Sequence, residues 1–361
     1  MSSVDEAHMR SALSLAARGL GNTWPNPTVG CVIVKDGRVV GRGWTAPGGR
    51  PHGETEALKR AGAAARGATA YVTLEPCCHW GRTPPCTDAL IAAGVSRVVV
   101  ALRDPDPRVD GEGLRRLRAA GITVDEGLLE AEAAVLNAGF LKRQAKGLPL
   151  VTLKLATSLD GRIATASGES RWITGPAARR HGHALRGRHD AILVGSGTVL
   201  ADDPDLTCRI PGFSPRPLVR VVADARGRVS PAARLFGVEG PVWIAVGEGI
   251  ARPDLPAELL PLPPSDSGEG LDPTALLRAL AERGITRVLL EGGGRLAAAF
   301  LTAGLIDRLA WFHAARVIGG DGLPAIAAMG FLRLEAAPKF RRSAAIPVGE
   351  DWLTEAVLQE S

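Results

Sequence analysis

The sequence predicts an α/β protein built from two domains. Its 361 residues exceed one domain of ordinary size and suffice to bury at least one large core. Short apolar runs alternate with segments of helical periodicity through the first half, as in α/β folds. Gly147-Leu148-Pro149 interrupts this alternation. We therefore expect one domain over residues 1–147 and a second over residues 148–361.

Composition indicates a globular protein without a membrane segment. Hydrophobic residues make up 45% of the chain and charged residues 22%. The longest uncharged apolar run, Leu296 to Ile306, is far shorter than the roughly 18 to 20 residues that a spanning helix needs. The N-terminus carries Asp5 and Glu6 where a signal peptide would be basic. We expect a cytoplasmic protein.

Charge and cysteine usage narrow the classes of partner. The net charge is +5, but no block of basic residues stands out and aromatic residues make up only 4%. This pattern does not favour nucleic acid and suits a phosphorylated small molecule. Three of the five cysteines lie within ten residues, which favours metal binding over a disulfide framework. Cys31 and Cys208, which are isolated, are expected to pack in the interior.

The first half is predicted to open with a helix over residues 5–18 and a β-hairpin with strands at 31–34 and 38–43, turning at Asp36-Gly37. The remaining predicted helices are 53–65, 87–93, 113–120 and 130–143. The remaining predicted strands are 69–74, 97–102 and 122–124, with a turn at 104–107. Asn26 stands between two prolines, which hold it in an extended backbone.

The first half contains the ligand set of a catalytic zinc site. His52-Gly53-Glu54 supplies an imidazole and a carboxylate, and Cys77 and Cys86 supply two thiols. Three protein ligands leave a fourth position open for water, and Glu54 is then available as a proton shuttle. Zinc deaminases combine a H-x-E segment with a P-C-x-x-C segment, whereas here eight residues separate the two cysteines. We expect a hydrolytic deaminase with His52, Cys77 and Cys86 as ligands.

Two features leave alternatives open at this motif. Cys78 is a spare thiol that the spacing does not exclude as a ligand. A purely structural zinc would close its shell with a fourth protein ligand, for which Cys78 or His79 is available. A structural site, however, has no need of Glu54.

The loop Cys77-Cys78-His79-Trp80-Gly81-Arg82-Thr83-Pro84-Pro85-Cys86 resembles the deaminase half of the bifunctional riboflavin-biosynthesis deaminase/reductase family. The resemblance implies a cytidine-deaminase-like α/β/α fold. It also implies that Asn26 binds the pyrimidine ring, that His79 and Arg82 line the substrate pocket, and that Arg82 is available for the substrate phosphate. The alternatives are a turn residue for Asn26 and a solvated loop charge for Arg82.

The second half restarts with a predicted strand at 150–155. Further predicted strands are 191–194, 218–222, 287–290, 310–318 and 352–358, the last of which we place at an edge of the sheet. Gly195 to Thr198 reads as a small-residue loop, and Pro253 to Pro273 as a surface loop. Gly292-Gly293-Gly294 leads into a predicted helix at 296–301, which presents backbone N–H groups to an anion such as pyrophosphate.

Four motifs in order resemble the reductase half of the same family. They are Lys154 to Ile163, Ser167 to Thr174, Asp190 to Arg209, and Leu289 to Gly294. The resemblance implies a dihydrofolate-reductase-like α/β fold and NADPH as the hydride donor to the ribose. By the family motif the catalytic and ribosyl contacts are Lys154 and Glu291, the other substrate contacts are Ser170, Arg186, Leu206 and Arg209, and the NADPH contacts are Ala156, Trp172, Thr198, Asp202, Gly293 and Gly294.

Some of these residues also have a purely structural interpretation. Arg186 and Arg209 could form surface ion pairs, and Trp172 could be a core residue. For the ribose 2′-phosphate of NADPH, the candidates are Arg226 and Arg228, which follow the strand at 218–222.

The sequence therefore predicts a bifunctional enzyme with Zn²⁺ and NADPH as cofactors. The resemblance implies deamination of 2,5-diamino-6-ribosylamino-4(3H)-pyrimidinone 5′-phosphate, followed by reduction of its ribosyl group to ribityl. We expect a homo-oligomer, a dimer or a tetramer. Two other hypotheses are a nucleic-acid or nucleoside deaminase with a C-terminal binding module, and a non-catalytic scaffold stabilised by zinc. The first should show a basic stripe with stacking aromatics, and the second leaves Glu54 without a purpose.

Overall fold

The computed structural model describes residues 2–266 and 268–359. The chain divides into two compact units, Met1–Gly147 and Leu148–Ser361. Within the described residues, no helix combines the length and the apolar character needed to cross a membrane. Each unit is an α/β fold with its own sheet.

The first unit is built on a mixed five-stranded sheet, counted over the described residues, in the order β2-β1-β3-β4-β5. Its strands are β1 Gly30–Lys35, β2 Arg38–Trp44, β3 Thr69–Val72, β4 Arg97–Val100 and β5 Thr123–Glu126. Its helices are α1 Ser3–Ala16, α2 Gly53–Ala61, α3 Cys86–Ala93, α4 Glu112–Ala119 and α5 Glu130–Lys146. Strand β1 is antiparallel to β2 and β3, whereas β3, β4 and β5 are parallel. The chain segments that follow β3 and β4 therefore leave the sheet side by side.

Two glycines in β2 determine where α2 lies. A Cβ on Gly41 would come within 2.3 Å of the Ala57 carbonyl oxygen, and one on Gly43 within 2.2 Å of the Gly53 carbonyl oxygen. The helix backbone thus rests directly on the strand backbone, which only glycine permits. This contact fixes the N-terminus of α2, where His52 and Glu54 lie.

The second unit contains a nine-stranded sheet, counted over the described residues, in the order β11-β10-β9-β8-β12-β6-β13-β16-β15. The strands of this unit are β6 Leu150–Thr157, β7 Arg162–Ala164, β8 Ala191–Gly195, β9 Val219–Ala223, β10 Val242–Gly247, β11 Glu258–Leu262, β12 Arg287–Leu290, β13 Arg308–His313, β14 Leu323–Pro324, β15 Phe340–Val348 and β16 Asp351–Leu358. Its helices are α6 Pro176–Gly187, α7 Ser196–Asp202, α8 Pro273–Glu282 and α9 Gly294–Thr302. Strands β7 and β14 form a separate pair.

The central strands of the large sheet bring three segments together at their carboxyl-terminal ends. Strand β12 is parallel to both β8 and β6, with Leu290 aligned on Leu193 and on Leu153. The carboxyl ends of β12 and β8 lead into Glu291 and the start of α7, and Lys154 follows Leu153 within β6 at the same level of the sheet. In open parallel sheets, ligands bind at the carboxyl ends of the strands.

Several predicted elements differ from the structure. The proposed surface loop over Pro253 to Pro273 contains β11, an edge strand that pairs in parallel with β10. The small-residue loop at Gly195 to Thr198 is instead the start of α7. The strand expected at 310–318 ends at His313, and β16 is not an edge strand because β15, which was missed, pairs along its outer side. The helix expected at 53–65 ends at Ala61 and continues as a 3₁₀ turn.

Candidate active sites

Three predicted ligands meet in the first unit. His52 is the N-terminal capping residue of α2, and Cys86 is the first residue of α3. Cys77 lies in the loop between β3 and α3, so only two of the ligands come from helix starts. The His52 Nδ1 atom lies 3.6 Å from the Cys77 Sγ atom and 3.3 Å from the Cys86 Sγ atom. All three ligand atoms lie within 4.8 Å of one another.

This geometry fits zinc. Zn–S bonds of about 2.3 Å and Zn–N bonds of about 2.0–2.1 Å place tetrahedral neighbours roughly 3.5–3.8 Å apart. The observed separations are close to that range. The pKa of Cys77 is lowered because Cys86 and His52 hydrogen-bond to its sulfur, so this sulfur is predisposed to be the thiolate that binds metal.

Glu54 faces the cluster without being part of it. It is the second residue of α2 and is only 3% exposed, and its Oε2 atom has no hydrogen-bond partner within the described chain. Burial raises the pKa of its carboxyl to about 7. An orphaned buried carboxylate oxygen beside an incomplete ligand shell is suited to bind and transfer a proton.

The spare thiol lies outside the cluster. The Cys78 Sγ atom points to the carbonyl oxygen of Arg108, at 3.4 Å. His79 is absent from the cluster as well, and its buried Nδ1 atom has no partner among the described residues. The fourth protein ligand that a structural zinc requires is therefore not supplied by either residue.

A cavity of about 590 Å³ opens onto this cluster. Asn26, His79 and Arg82, which the family resemblance assigns to the substrate, all line it. The Asn26 amide donates to the Gly49 carbonyl oxygen at 2.8 Å, so its side chain bridges two loops instead of capping its own turn. Arg82 is exposed at the cavity.

Sequence reasoning missed the acidic wall of this cavity. Glu75 is buried, and its carboxylate accepts hydrogen bonds from the backbone N–H groups of Asp104 (3.3 Å) and Gly111 (3.0 Å). It therefore ties the segment before Cys77 to the segment after β4. Asp104 also lines the cavity, and burial raises its pKa to about 6. The signal in the sequence is the turn at 104–107, in which Asp104 and Asp106 supply two carboxylates.

In the second unit, Lys154, Arg186 and Glu291 form a half-buried ionic cluster. Arg186 donates to the Glu291 carboxylate at 2.8 and 3.0 Å, and the Lys154 Nζ atom lies 3.7 Å from it. Burial acts to raise the pKa of Glu291, but the charges of Arg186 and Lys154 prevail and lower it to about 2. Arg186 is therefore not in a surface ion pair.

The segment Leu206 to Arg209 runs beside this cluster. Arg186 also donates to the Thr207 carbonyl oxygen at 3.0 Å, and Arg209 donates to the His183 ring at 3.2 Å. Leu206 is 3% exposed and packs in the core, so its side chain does not face a ligand and only its backbone is available for contact. Arg209 remains exposed.

Two helices begin at the carboxyl ends of the central strands without a capping side chain. Gly195 caps α7 and Gly293 caps α9, both without a side-chain hydrogen bond. A Cβ on Gly293 would come within 4.0 Å of the Thr198 Oγ1 atom, so the two starts are adjacent. Gly294 has no room for a side chain, since its Cβ would meet the Pro324 carbonyl oxygen at 2.7 Å. Free N–H groups at paired helix starts fit the pyrophosphate of a dinucleotide.

The remaining predicted cofactor residues are placed less uniformly. Trp172 is 60% exposed beneath the Arg179 guanidinium, which excludes the core-packing interpretation. Asp202 ends α7, and its carbonyl oxygen accepts from Arg171 at 3.2 Å. Among the described residues, no side-chain hydrogen bond or ion pair ties Ala156 or Ser170 to this group.

Of the two candidates for the 2′-phosphate, one reaches the helix start. The Arg228 guanidinium donates to the Ser196 hydroxyl at 2.9 Å, at the first residue of α7. Arg226 is exposed, with no such contact in the described chain.

Two family models match the chain. The cytidine and deoxycytidylate deaminase zinc-binding region matches residues 2–102, and the RibD C-terminal domain matches residues 149–354. The chain thus combines a zinc-dependent deaminase domain with an NADPH-dependent reductase domain.

Known proteins resemble the chain over nearly its whole length. It is 48% identical to riboflavin biosynthesis protein RibD of Escherichia coli K12, in an alignment that covers 96% of this chain and 97% of that protein. It is 42% identical to the protein of the same name from Haemophilus influenzae, covering 97% and 96%. The chain belongs to the RibD family of riboflavin-biosynthesis proteins.

Solved structures agree with this assignment. Acinetobacter baumannii RibD, form 1, superposes with a TM-score of 0.89 at 40% identity and 99% coverage of both chains. A Thermotoga maritima diaminohydroxyphosphoribosylaminopyrimidine deaminase/5-amino-6-(5-phosphoribosylamino)uracil reductase superposes with a TM-score of 0.87 at 38% identity, also covering 99% of both chains. These similarities confirm the predicted fold class and the bifunctional deaminase/reductase activity. They argue against both other hypotheses, a deaminase with a C-terminal binding module and a non-catalytic scaffold stabilised by zinc.

Proposed function

We propose that residues 1–147 deaminate the pyrimidine and that residues 148–361 reduce its sugar. The observation that carries the first assignment is the cluster of His52, Cys77 and Cys86 with the unpartnered Glu54 Oε2 atom beside it. These three residues would hold zinc, and zinc supplies the Lewis-acid activation of water at neutral pH.

Glu54 handles the protons. Its free carboxylate oxygen accepts a proton from water and delivers it to the departing amine, so that ammonia leaves as a neutral molecule. Burial at 3% exposure keeps bulk water away from this carboxylate. The rigid contact between α2 and β2 holds it in place.

The substrate is the phosphorylated diaminopyrimidine named for the Thermotoga maritima relative. Asn26 and His79 contact the ring from the cavity wall, and the unpartnered His79 Nδ1 atom is free to hydrogen-bond to it. Arg82 at the cavity surface neutralises the phosphate. The product of this half is a uracil-type ring plus ammonia.

Reduction then takes place at the carboxyl-terminal ends of the central strands of the large sheet. NADPH supplies the hydride when bound. The adjacent helix starts at Gly195 and Gly293 receive its pyrophosphate, with Thr198, Asp202, Trp172, Ala156 and Gly294 as the other contacts. Lys154 and Glu291 orient the ribosyl end, held in register by Arg186. Ser170, Leu206 and Arg209 complete the substrate contacts.

Two single variants test the division of labour. Glu54→Gln should abolish ammonia release but leave reduction of the deaminated substrate intact, because the second unit has its own core. Lys154→Ala should impair reduction and leave ammonia release intact. Mixing the two purified variants should restore conversion of the diaminopyrimidine to the ribityl product. No recovery, with each half-activity confirmed, would contradict independent sites.

We also propose that the enzyme is a cytoplasmic homo-oligomer, a dimer or a tetramer. Large apolar side chains of the second unit are exposed, with Leu332 at 99% and Leu334 at 85%, as at interfaces. All five cysteines are free, which suits a reducing compartment. Sedimentation of the purified chain and fractionation of cells test the two statements, and a monomer or a secreted enzyme would refute them.

A further inference from the structure

His183 lies beside the ionic cluster of the second unit and contacts the segment that carries Arg209. The residue lies on α6, one helical turn before Arg186. Its Nδ1 atom lies 3.1 Å from the Thr207 carbonyl oxygen, and its Nε2 atom lies 3.2 Å from the Arg209 Nε atom. The Cys208 thiol also donates to the His183 carbonyl oxygen at 3.1 Å. One histidine thus holds three consecutive residues.

The donors in this arrangement determine the state of the ring. A guanidinium can only donate, so the Nε2 atom of His183 must accept from Arg209. In a neutral imidazole the proton is then on Nδ1, which donates to the Thr207 carbonyl oxygen at 3.1 Å. The Arg209 backbone N–H group also lies 3.3 Å from Nδ1, but a protonated Nδ1 cannot accept from it. His183 is therefore a neutral imidazole with its proton on Nδ1. The hydrogen bond fixes the Nε side of the Arg209 guanidinium and leaves its two terminal nitrogens for an anion.

We propose that His183 is a positioning residue of the reductase, which orients Arg209 toward the phosphate of the substrate. This inference rests on the proposed role of Arg209 in substrate binding. Phosphate is the anionic group of that substrate. The two terminal nitrogens of Arg209 make no hydrogen bond within the described chain, and a guanidinium in that state can bind phosphate bidentately. Without the imidazole acceptor, the exposed side chain of Arg209 would sample many rotamers and binding would bear the entropy of ordering it.

The charges around His183 make this device sensitive to pH. Arg186 on the same helix, Arg209 on the facing segment and Glu291 after β12 all act on the ring, and Lys154 lies against Glu291. Burial, together with the charges of Arg186 and Arg209, lowers the pKa of His183 below its usual value. Protonation would turn Nε2 into a donor, which would release Arg209 and repel it.

Three variants of the full chain test the proposal, with zinc and NADPH present and the deaminated, phosphorylated pyrimidine as substrate. His183→Leu removes the acceptor, His183→Gln restores an acceptor that does not titrate, and Arg209→Ala removes the cation. Steady-state NADPH oxidation gives kcat and the KM for each substrate. His183→Leu should raise the KM for the phosphorylated substrate about tenfold, the effect of one lost charge-assisted hydrogen bond. Its kcat and its KM for NADPH should change by less than about twofold.

The glutamine variant supplies the readout that a merely structural role would not move. At neutral pH its KM should match that of the unaltered enzyme. Toward acidic pH the KM of the unaltered enzyme should rise more steeply than that of His183→Gln, because only the imidazole loses its acceptor. Titration of the substrate phosphate affects both proteins equally and cancels in this comparison.

The outcomes separate the two levels of inference. If Arg209→Ala leaves the KM unchanged, the proposed role of Arg209 is wrong and this inference falls with it. If Arg209→Ala raises the KM but neither His183 variant does so at any pH, Arg209 binds the substrate without His183 and only the positioning role is overturned. Identical pH profiles for the unaltered enzyme and His183→Gln would also overturn it, and this test remains available if His183→Leu does not fold.

Discussion

Replacing Glu291 by Gln should destabilise the second unit by about 3 kcal/mol at neutral pH. The Glu291 carboxylate accepts two hydrogen bonds from Arg186 and lies 3.7 Å from the Lys154 Nζ atom. Its pKa in the folded protein is about 2 against an ordinary 4.5. That difference corresponds to about 3 kcal/mol of folding free energy. The side chain is only 11% exposed, so water screens the interaction little.

The same pKa difference sets the pH dependence. Because the folded pKa lies below the unfolded one, the ionised carboxylate stabilises the fold fully above pH about 4.5. This contribution is lost as the pH falls from about 4.5 toward 2. The difference in stability between the unaltered protein and Glu291→Gln should therefore be constant near neutrality and shrink in acid.

Amide hydrogen exchange of the full chain measures this effect by region. A loss of about 3 kcal/mol should accelerate exchange of the most protected amides of β6 and β12 by about 100-fold, while β1 and β3 of the first unit serve as an internal reference. The control is Glu258→Gln, which breaks an exposed ion pair with Arg283 and should cost less than about 1 kcal/mol. Unchanged exchange in β6 and β12, or equal acceleration by both variants, would refute the assignment of the ionic cluster as a stabilising element.

The remaining predictions concern the two cofactors. Cys77→Ser and Cys86→Ser should each lose the zinc, whereas Cys78→Ser should keep it because that thiol contacts a carbonyl oxygen outside the cluster. Elemental analysis decides this, and equal loss from all three would overturn the ligand assignment. Arg228→Ala should narrow the preference for NADPH over NADH, since Arg228 reaches the start of α7, and Arg226→Ala should narrow it less. The ratio of kcat/KM for the two dinucleotides measures this, and an unchanged ratio in Arg228→Ala would remove that residue from the site.

The metal-site residues could be found from the sequence because each of them carries distinctive chemistry at a distinctive spacing. His52, Glu54, Cys77 and Cys86 are recognisable in the printed chain, and the structure brings the three ligand atoms together. Glu75 could not be found in this way. Its carboxylate binds backbone N–H groups of residues that lie 29 and 36 positions away, and backbone donors leave no mark in a sequence.

Elements of the second unit were harder to predict for a related reason. Strand β11 carries proline and glutamate in a region rich in turn residues, and it is a strand because β10 offers a parallel partner. Strand β15 has an exposed face and contains Pro347, which its position at the sheet edge tolerates. Local propensity predicts a loop in the first case, and pairing with a strand distant in sequence overrides it.

The residue roles that sequence patterns miss share one physical property, which is that they act through a neighbour. Leu206 shows a related limit of such patterns, because the family pattern marks it as a substrate contact while its side chain is buried in the core, which leaves its backbone as the group available for contact. A motif records which positions are fixed but not whether the side chain or the backbone meets the ligand. His183 carries no motif, yet its ring determines where Arg209 points. The guanidinium of Arg209 can only donate hydrogen bonds, so its orientation before the phosphate binds depends on an acceptor beside it. The ring of His183 is that acceptor.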